Sequence, residues 1–402
     1  MSSENYTVLY LSRGGDISGA QRQLLYLLGG LDRTRFTPVV LCTEGGQFPR
    51  ALQEMGVRCI LRKLAGWRRV RHIFARGGDV AYVSRLVKDE GVSLVHSSEV
   101  RLSEYMLRSA ESACVPCILH IRAPIDRRTA NHYRCSRATA LVPISKRVEV
   151  RLSAIAGMPR EKIVLIHDAV DPDLFRPKEE ALHQRVLRTP HAVGDKVLVG
   201  IVGRVEKAKE QLGFVQIARE VLDRTNTAVF FIIGEMRDRS YCRQIIRYVE
   251  RHGLSNRVHF TGRREDIGDV LADLDILVSL SGGSVRYEAM MCGITVVCAW
   301  SRRPEESYHI RHKETGFLVT ARKVEPVAHV LLEAIEHDDL RQRIGRNARQ
   351  WAQQHLSHSM LVESTQDLYD RLLAKRAAPA ALVAQRRCDG VRDKIRTEEA
   401  VS

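Results

Sequence analysis

Short apolar runs and helical patterns alternate along this chain, and they do so in two sets. In the first half the runs are Thr7–Leu11, Pro38–Cys42, Ser93–His96, Cys117–Ile121, Ala140–Ile144 and Ile163–Ile166. In the second they are Val197–Val202, Ala228–Ile233, Val258–Phe260, Ile276–Leu280, Thr295–Cys298 and Phe317–Val319. The spacers carry leucines and other apolar residues at helical intervals, as in Gln23-Leu-Leu-Tyr-Leu-Leu28, Leu212–Leu222 and Tyr241–Arg251. Strands joined through helices run parallel, because the crossover returns each strand in the same direction. The pattern therefore predicts an α/β fold with two doubly wound, Rossmann-like domains.

Between the two sets lie Asp171-Pro-Asp-Leu-Phe-Arg-Pro177 and the charged stretch Lys178 to Pro190. Proline, charge and a lack of apolar periodicity mark a linker. The expected division is a first domain over 1–177, a linker over 178–195 and a second domain over 196–357. Helical patterns follow at Leu340–His355 and Met360–Lys375. The second of these, within 358–376, is expected to pack back on the first domain, with 377–402 as a flexible tail.

Composition narrows the class. Apolar content of 44% and charged content of 28% suit a globular protein. No run approaches the roughly 18 apolar residues that span a bilayer. The opening residues lack a basic segment before their apolar run, so no signal peptide is expected and the protein is read as cytoplasmic. The nine cysteines are odd in number and scattered, which suits core thiols. Cys114-Val-Pro-Cys117 has no second pair and no His at ligand spacing, so no metal is expected.

Three turns could carry chemistry. The stretch Ser279 to Val297 reads strand, small-residue turn, helix, strand, with Ser281-Gly-Gly-Ser284 as the turn and Glu288 in the first turns of the helix. Free amides at this helix start could hold an anion, and Glu288 could accept hydrogen bonds from hydroxyls. Near the start, Thr7–Leu11 runs into Ser12-Arg-Gly-Gly-Asp-Ile-Ser-Gly-Ala20, where Gly14, Gly15 and Gly19 would let a ligand approach backbone. The spacing is not G-x-G-x-x-G, and Cys42 stands where a dinucleotide site places its acidic residue, which argues against NAD. Thirdly, Val197–Val202 ends in Gly203-Arg-Val-Glu-Lys-Ala-Lys209, whose cations could converge on a diphosphate. Charge alone does not separate Lys207 from Lys209. Each turn has a plain alternative: a tight turn, a solvent-facing Glu or a solvated basic loop.

Together these pieces resemble the family 4 glycosyltransferases, retaining enzymes of the GT-B fold, from about Thr7 to His355. The family signature G-R-x-x-x-x-K is matched by Gly203, Arg204 and Lys209. Its E-A-M-A-C-G-x-P-V-V run is matched by Glu288-Ala-Met-Met-Cys-Gly-Ile-Thr-Val-Val297. Ser18-Gly-Ala-Gln21 stands where the family often has G-G-A-E. The resemblance implies two domains facing a central cleft, with a nucleotide sugar on the second and the acceptor on the first. Arg204 and Lys209 would hold the donor diphosphate and Glu288 its ribose. Gly15, Ser18, Gly19, Gly203, Gly262, Arg263, Gly282, Gly283, Ser284 and Val285 would line the donor site. The base would be UDP or GDP, and no metal is required.

Two departures stand out. The family usually has a second Glu eight positions before Glu288, and here Leu280 occupies it. In the first domain the family often has a His where this chain has Arg122, with His120 two residues earlier. Residues two apart on a strand share a face, so both could reach a ligand.

The formal charge is +15, and residues 1–177 hold 27 Lys/Arg against 17 Asp/Glu. A basic half suggests an anionic partner. Residues 61–76 mix six Lys/Arg with Trp67, Ile73 and Phe74, a composition that suits an anionic membrane surface. Expected partners are thus a nucleotide sugar, a saccharide or lipid-linked acceptor and the inner membrane face. Synthesis of a cell-surface polysaccharide or glycoconjugate would fit. Nucleic acid is not expected, since no helix-turn-helix, zinc or stacking signature is present. A catalytically weak binding subunit and a nucleotide-sugar epimerase of the same shape remain as alternatives.

Overall fold

The computed structural model describes residues 5–67, 73–154, 156–177, 185–281, 283–299, 309–321 and 323–375. They form two compact units. The first joins Met1–Asp168 to the chain from His358 onward, and the second is Ala169–Ser357.

In the first unit β1 (Tyr6–Gly14), α1 (Gly19–Gly30), β2 (Phe36–Glu44), α2 (Gln47–Glu54) and β3 (Arg58–Leu61) come first. Then follow α3 (Ile73–Asp89), β4 (Val92–Ser97), α4 (Ser103–Ser112), β5 (Cys117–Ile121), α5 (Arg127–His132), β6 (Ala140–Pro143) and α6 (Lys146–Ala154). The sheet runs β3-β2-β1-β4-β5-β6 and is parallel throughout. All five residues of β5 and all four of β6 are buried. Continuous burial of this kind follows from helices covering both faces. The order reverses between β1 and β4, the place where open α/β sheets bind ligands beyond their carboxyl ends.

The second unit repeats the plan. It contains β7 (Val197–Val202), α7 (Gln211–Leu222), β8 (Ala228–Ile233), α8 (Arg239–Arg251), β9 (Val258–Gly262), α9 (Ile267–Asp273) and β10 (Ile276–Ser279). After these come α10 (Val285–Met291), β11 (Thr295–Ala299), β12 (Phe317–Val319), α11 (Val324–Glu336) and α12 (Asp338–His355). Its parallel sheet runs β9-β8-β7-β10-β11-β12, the same order, with the reversal between β7 and β10. A Cβ on Gly345 would lie 2.0 Å from the Gly293 carbonyl, so α12 crosses this turn at a contact only glycine permits. The last helix among the described residues, α13 over 358–375, returns to the first unit. Its Tyr369 is fully buried against Phe36, with ring centroids 5.5 Å apart.

Three features depart from the sequence reading. β3 was not foreseen, because Arg58-Cys-Ile-Leu61 is a four-residue edge strand whose two ends are exposed. Ile163–Ile166 is not a strand: it meets β6 through one bridge at Leu141 and backbone bonds from Val164 and Ile166. The described part of the expected linker over 178–195 belongs to the second unit. Leu187 and Val193 share an apolar cluster with Leu198, Phe231 and Leu277. Arg188 pairs with Asp273 and, at 2.5 Å, with Asp275. The boundary therefore falls at Asp168, not after 177. The few apolar residues scattered through this charged stretch give no periodicity to read.

Candidate functional site

In the second unit, three neighbouring strands end on glycines with positive φ: Gly203 at 145°, Gly234 at 146° and Gly262 at 69°. Backbone bonds knit them, Gly203 N–H to the Ile233 carbonyl and Gly234 N–H to the Gly262 carbonyl, each 2.9 Å. The chain leaves Gly203 through Arg204 to a short helical turn at Lys207–Lys209. Lys207 is exposed, while Lys209 is half-buried and folds back. A Cβ on Gly203 would lie 3.6 Å from the Lys209 stem, and one on Gly283 would lie 3.8 Å from Lys209 Nζ. Lys209 thus sits between the end of β7 and the turn after β10, the two sides of the switch point. Geometry separates the two lysines that charge did not.

Arg204 is exposed and lies 3.5 Å from Glu206, a surface pair that leaves the guanidinium available to a ligand. Gly283 and Ser284 are exposed and precede α10, whose first bond runs from Tyr287 N–H to the Ser284 carbonyl. Val285 and Glu288 are half-buried on that helix. Arg263 is exposed beside Glu265. Gly282 lies outside the described residues. Leu280 is 5% exposed and belongs to the core, its Cδ1 3.7 Å from where a Cβ on Gly213 would be. Glu210, unmarked by the sequence reading, carries φ of 63° directly after Lys209, an uncommon conformation for a side chain of this type.

In the first unit the carboxyl ends of β1, β2, β4 and β5 enclose a cavity of about 830 Å³. Gly14, Gly15 and Ser18 line it, as do His120 and Arg122; Gly19 starts α1 beside them. Gly14 has φ of 80°, and a Cβ there would lie 2.2 Å from the Glu44 carbonyl, so the loop closes only with glycine. Arg122 Nη2 pairs with Asp168 Oδ1 at 2.6 Å. Arg13, Arg101 and Arg122 are matched along the wall by Asp16, Glu44 and Glu99, with Arg13 Nε 3.1 Å from Glu44 Oε1. The charges along the cavity wall are close to balance. Among the basic stretch over 61–76, Trp67 packs edge-on against Tyr105 beneath Arg76 and Arg108, whereas Phe74 is 95% exposed. Residues 68–72 lie outside the described residues.

His120 and its neighbour His96 are both buried. His96 is pulled down to about 3 by burial, then by the charge of Arg122, and burial holds His120 well below its ordinary value. Both stay neutral in the folded protein and both accept protons once it unfolds. Native histidines that resist protonation stabilise the fold fully above about pH 6.5 and less below it. His96 alone should cost about 1.4 kcal/mol per pH unit as pH falls from 6.5 toward 3. Urea midpoints measured from pH 7 to 5 should fall more steeply in the native chain than in His96→Asn; parallel profiles contradict the assignment.

Among the described residues no group of three or more His, Cys, Asp or Glu could hold a metal ion, and no helix is long and apolar enough to cross a membrane.

Known proteins share this architecture. The solved structure of Anabaena Alr3699/HepE in complex with UDP superposes with a TM-score of 0.76 at 20% identity, over 91% of this chain and 100% of that one. A glycosyltransferase from Rickettsia africae gives 0.77 at 17%, over 92% and 99%. The 2-deoxystreptamine glucosyltransferase of Streptomyces kanamyceticus is 30% identical over 169 residues, 40% of this chain and 42% of the relative. The N-acetyl-alpha-D-glucosaminyl L-malate synthase of Bacillus anthracis is 22% identical over 217 residues, 52% and 54%. The chain thus spans about half the length of the curated relatives it matches. Residues 17–174 match the family described as Glycosyltransferase Family 4, and residues 184–351 match Glycosyl transferases group 1. With both units matched and the GT-B architecture in place, the chain belongs to the family 4 glycosyltransferases.

Proposed function

We propose that this protein moves a sugar from a nucleoside diphosphate sugar to a hydroxyl of a saccharide or lipid-linked acceptor, with retention of anomeric configuration. The supporting observation is the position of Lys209 between Gly203 and Gly283 at the switch point of the second sheet. The donor diphosphate would lie there, with Arg204 supplying a planar fork and Lys209 a point charge. Glu288 on α10 would take the ribose hydroxyls. Gly262 and Arg263, at the end of β9, would lie toward the base, UDP or GDP.

The acceptor would bind in the first unit. A near-balanced cavity suits the hydroxyls of a saccharide better than a phosphate group. Departure of the diphosphate breaks its bond to the anomeric carbon while the acceptor oxygen bonds to the same face. The acceptor proton passes to the departing phosphate oxygen. Arg204 and Lys209 would stabilise that developing charge, and His120 and Arg122 would orient the ligand in their cavity. By their names, one relative above is a 2-deoxystreptamine glucosyltransferase and another an N-acetyl-alpha-D-glucosaminyl L-malate synthase, and HepE carries UDP. Synthesis of a surface glycoconjugate at the inner membrane face would fit the exposed Phe74 and the basic stretch around it. Buried Leu280, where the family has a carboxylate, favours the weakly active binding subunit as second reading.

Incubation with UDP- and GDP-sugars and a saccharide acceptor, followed by NMR of the product's anomeric coupling, tests the reaction. An α-donor should give an α-linked product. A β-linked product removes retention, and nucleotide binding without transfer favours the binding subunit.

A further inference from the structure

A hydrogen-bonded chain of four buried side chains ends at the cavity of the first unit. Tyr10 Oη lies 2.9 Å from Tyr369 Oη. Tyr369 Oη lies 2.6 Å from His96 Nδ1, and His96 Nε2 lies 2.7 Å from His120 Nδ1. All four are at most 6% exposed. His120 lines the cavity, so with Nδ1 committed inward its Nε2 is the nitrogen left for a ligand.

Counting protons orders this chain. Three contacts need one proton each, and each neutral His carries one. Three arrangements satisfy all three. In one, Tyr10 donates to Tyr369, Tyr369 to His96 Nδ1, and His96 Nε2–H to His120 Nδ1; His120 then bears its proton on Nε2. In the second every bond is reversed, and the Tyr10 hydroxyl proton must find another acceptor; in the third Tyr369 accepts from both Tyr10 and His96 Nδ1–H, and its own hydroxyl proton must find one. Among the described residues Tyr10 bonds only to Tyr369 and the Tyr369 hydroxyl only to Tyr10 and His96, and they are 1% and 0% exposed. Burying an orphaned hydroxyl proton is costly, so the first arrangement prevails.

We infer that Tyr369 and His96 are positioning residues that hold His120 in the tautomer with its proton on Nε2, presenting a fixed hydrogen-bond donor to a ligand oxygen in this cavity. The functional part rests on the proposed reading of the cavity as a ligand site; the tautomer does not. His120 is then a donor to a hydroxyl, ring or phosphate oxygen and not a general base. Tyr369, which reaches His120 through His96, comes from α13, which the chain adds only after completing the second unit. Through Tyr369, α13 thereby sets the chemistry of a residue on β5, 249 positions earlier in sequence.

The test uses the full chain with 15N-labelled histidine and long-range 1H–15N correlation spectra, His120 being assigned by the signals lost in His120→Gln. A protonated Nε2 and a bare Nδ1 are expected. A proton on Nδ1, or rapid averaging between nitrogens, overturns the inference. In Tyr369→Phe the order should weaken to a mixture of tautomers, with the native circular dichroism retained; a single Nε2–H tautomer there removes the role of Tyr369. Where a nucleotide sugar is turned over, the same variant should lose roughly tenfold in kcat/KM, carried mainly by the acceptor KM. An expected tautomer with unchanged kcat/KM supports the hydrogen-bond order and counts against the cavity as a ligand site.

Discussion

Replacing Lys209 by Ala should lower kcat/KM by about a hundredfold to a thousandfold and weaken nucleoside diphosphate binding, while leaving the fold intact. The magnitude follows from what such a cation does. A charge held against a leaving diphosphate stabilises negative charge that grows in the transition state, and removal of one such contact commonly costs this much. The fold should survive because Lys209 follows β7 and lies outside the apolar clusters of the second unit. Lys207→Ala, an exposed neighbour two residues away, should change kcat/KM by less than about threefold, as expected of a solvated charge. Steady-state kinetics on the two variants separate a specific cation from a generally basic loop. Equal losses at both positions would favour the basic loop.

Gly234→Ala should act on the same site without touching a ligand. Gly234 has φ of 146°, a region that residues with a Cβ avoid, and the added atom would lie 2.1 Å from the Gly203 carbonyl. The strand ends must part to admit it. Backbone strain and overpacking together should cost about 2–5 kcal/mol of stability in the second unit. Gly203 carries the loop to Arg204 and Lys209, so nucleotide affinity should fall as well. Urea denaturation and calorimetry read the two effects. Native stability and affinity in this variant would show that the strand ends yield freely and do not set the position of Lys209.

Much of this architecture is legible in the chain. The inner strands of the second sheet, β7, β8, β10 and β11, are apolar runs buried on both faces, and a run such as Val197–Val202 announces itself whatever surrounds it. The signature residues Gly203, Arg204, Lys209 and Glu288 stand in sequence order, so pattern alone collects them. What escapes is what depends on distance along the chain. His96 and His120 are 24 residues apart and Tyr369 lies 273 beyond His96, so their contacts have no local trace. Asp168 meets Arg122 across 46 residues. Leu187 and Val193 look like punctuation in a charged segment until the cluster around Phe231 receives them. Local spacing encodes periodicity; it does not encode which strand ends become neighbours when the sheet assembles.

The most direct test of the account is calorimetric titration of the native chain with UDP, GDP, ADP, CDP and dTDP. One diphosphate should bind with a dissociation constant well below millimolar, and that binding should be lost in Arg204→Ala combined with Lys209→Ala. No binding of any diphosphate at millimolar concentration, or equal binding by the double variant, would contradict the placement of the donor at the ends of β7 and β10.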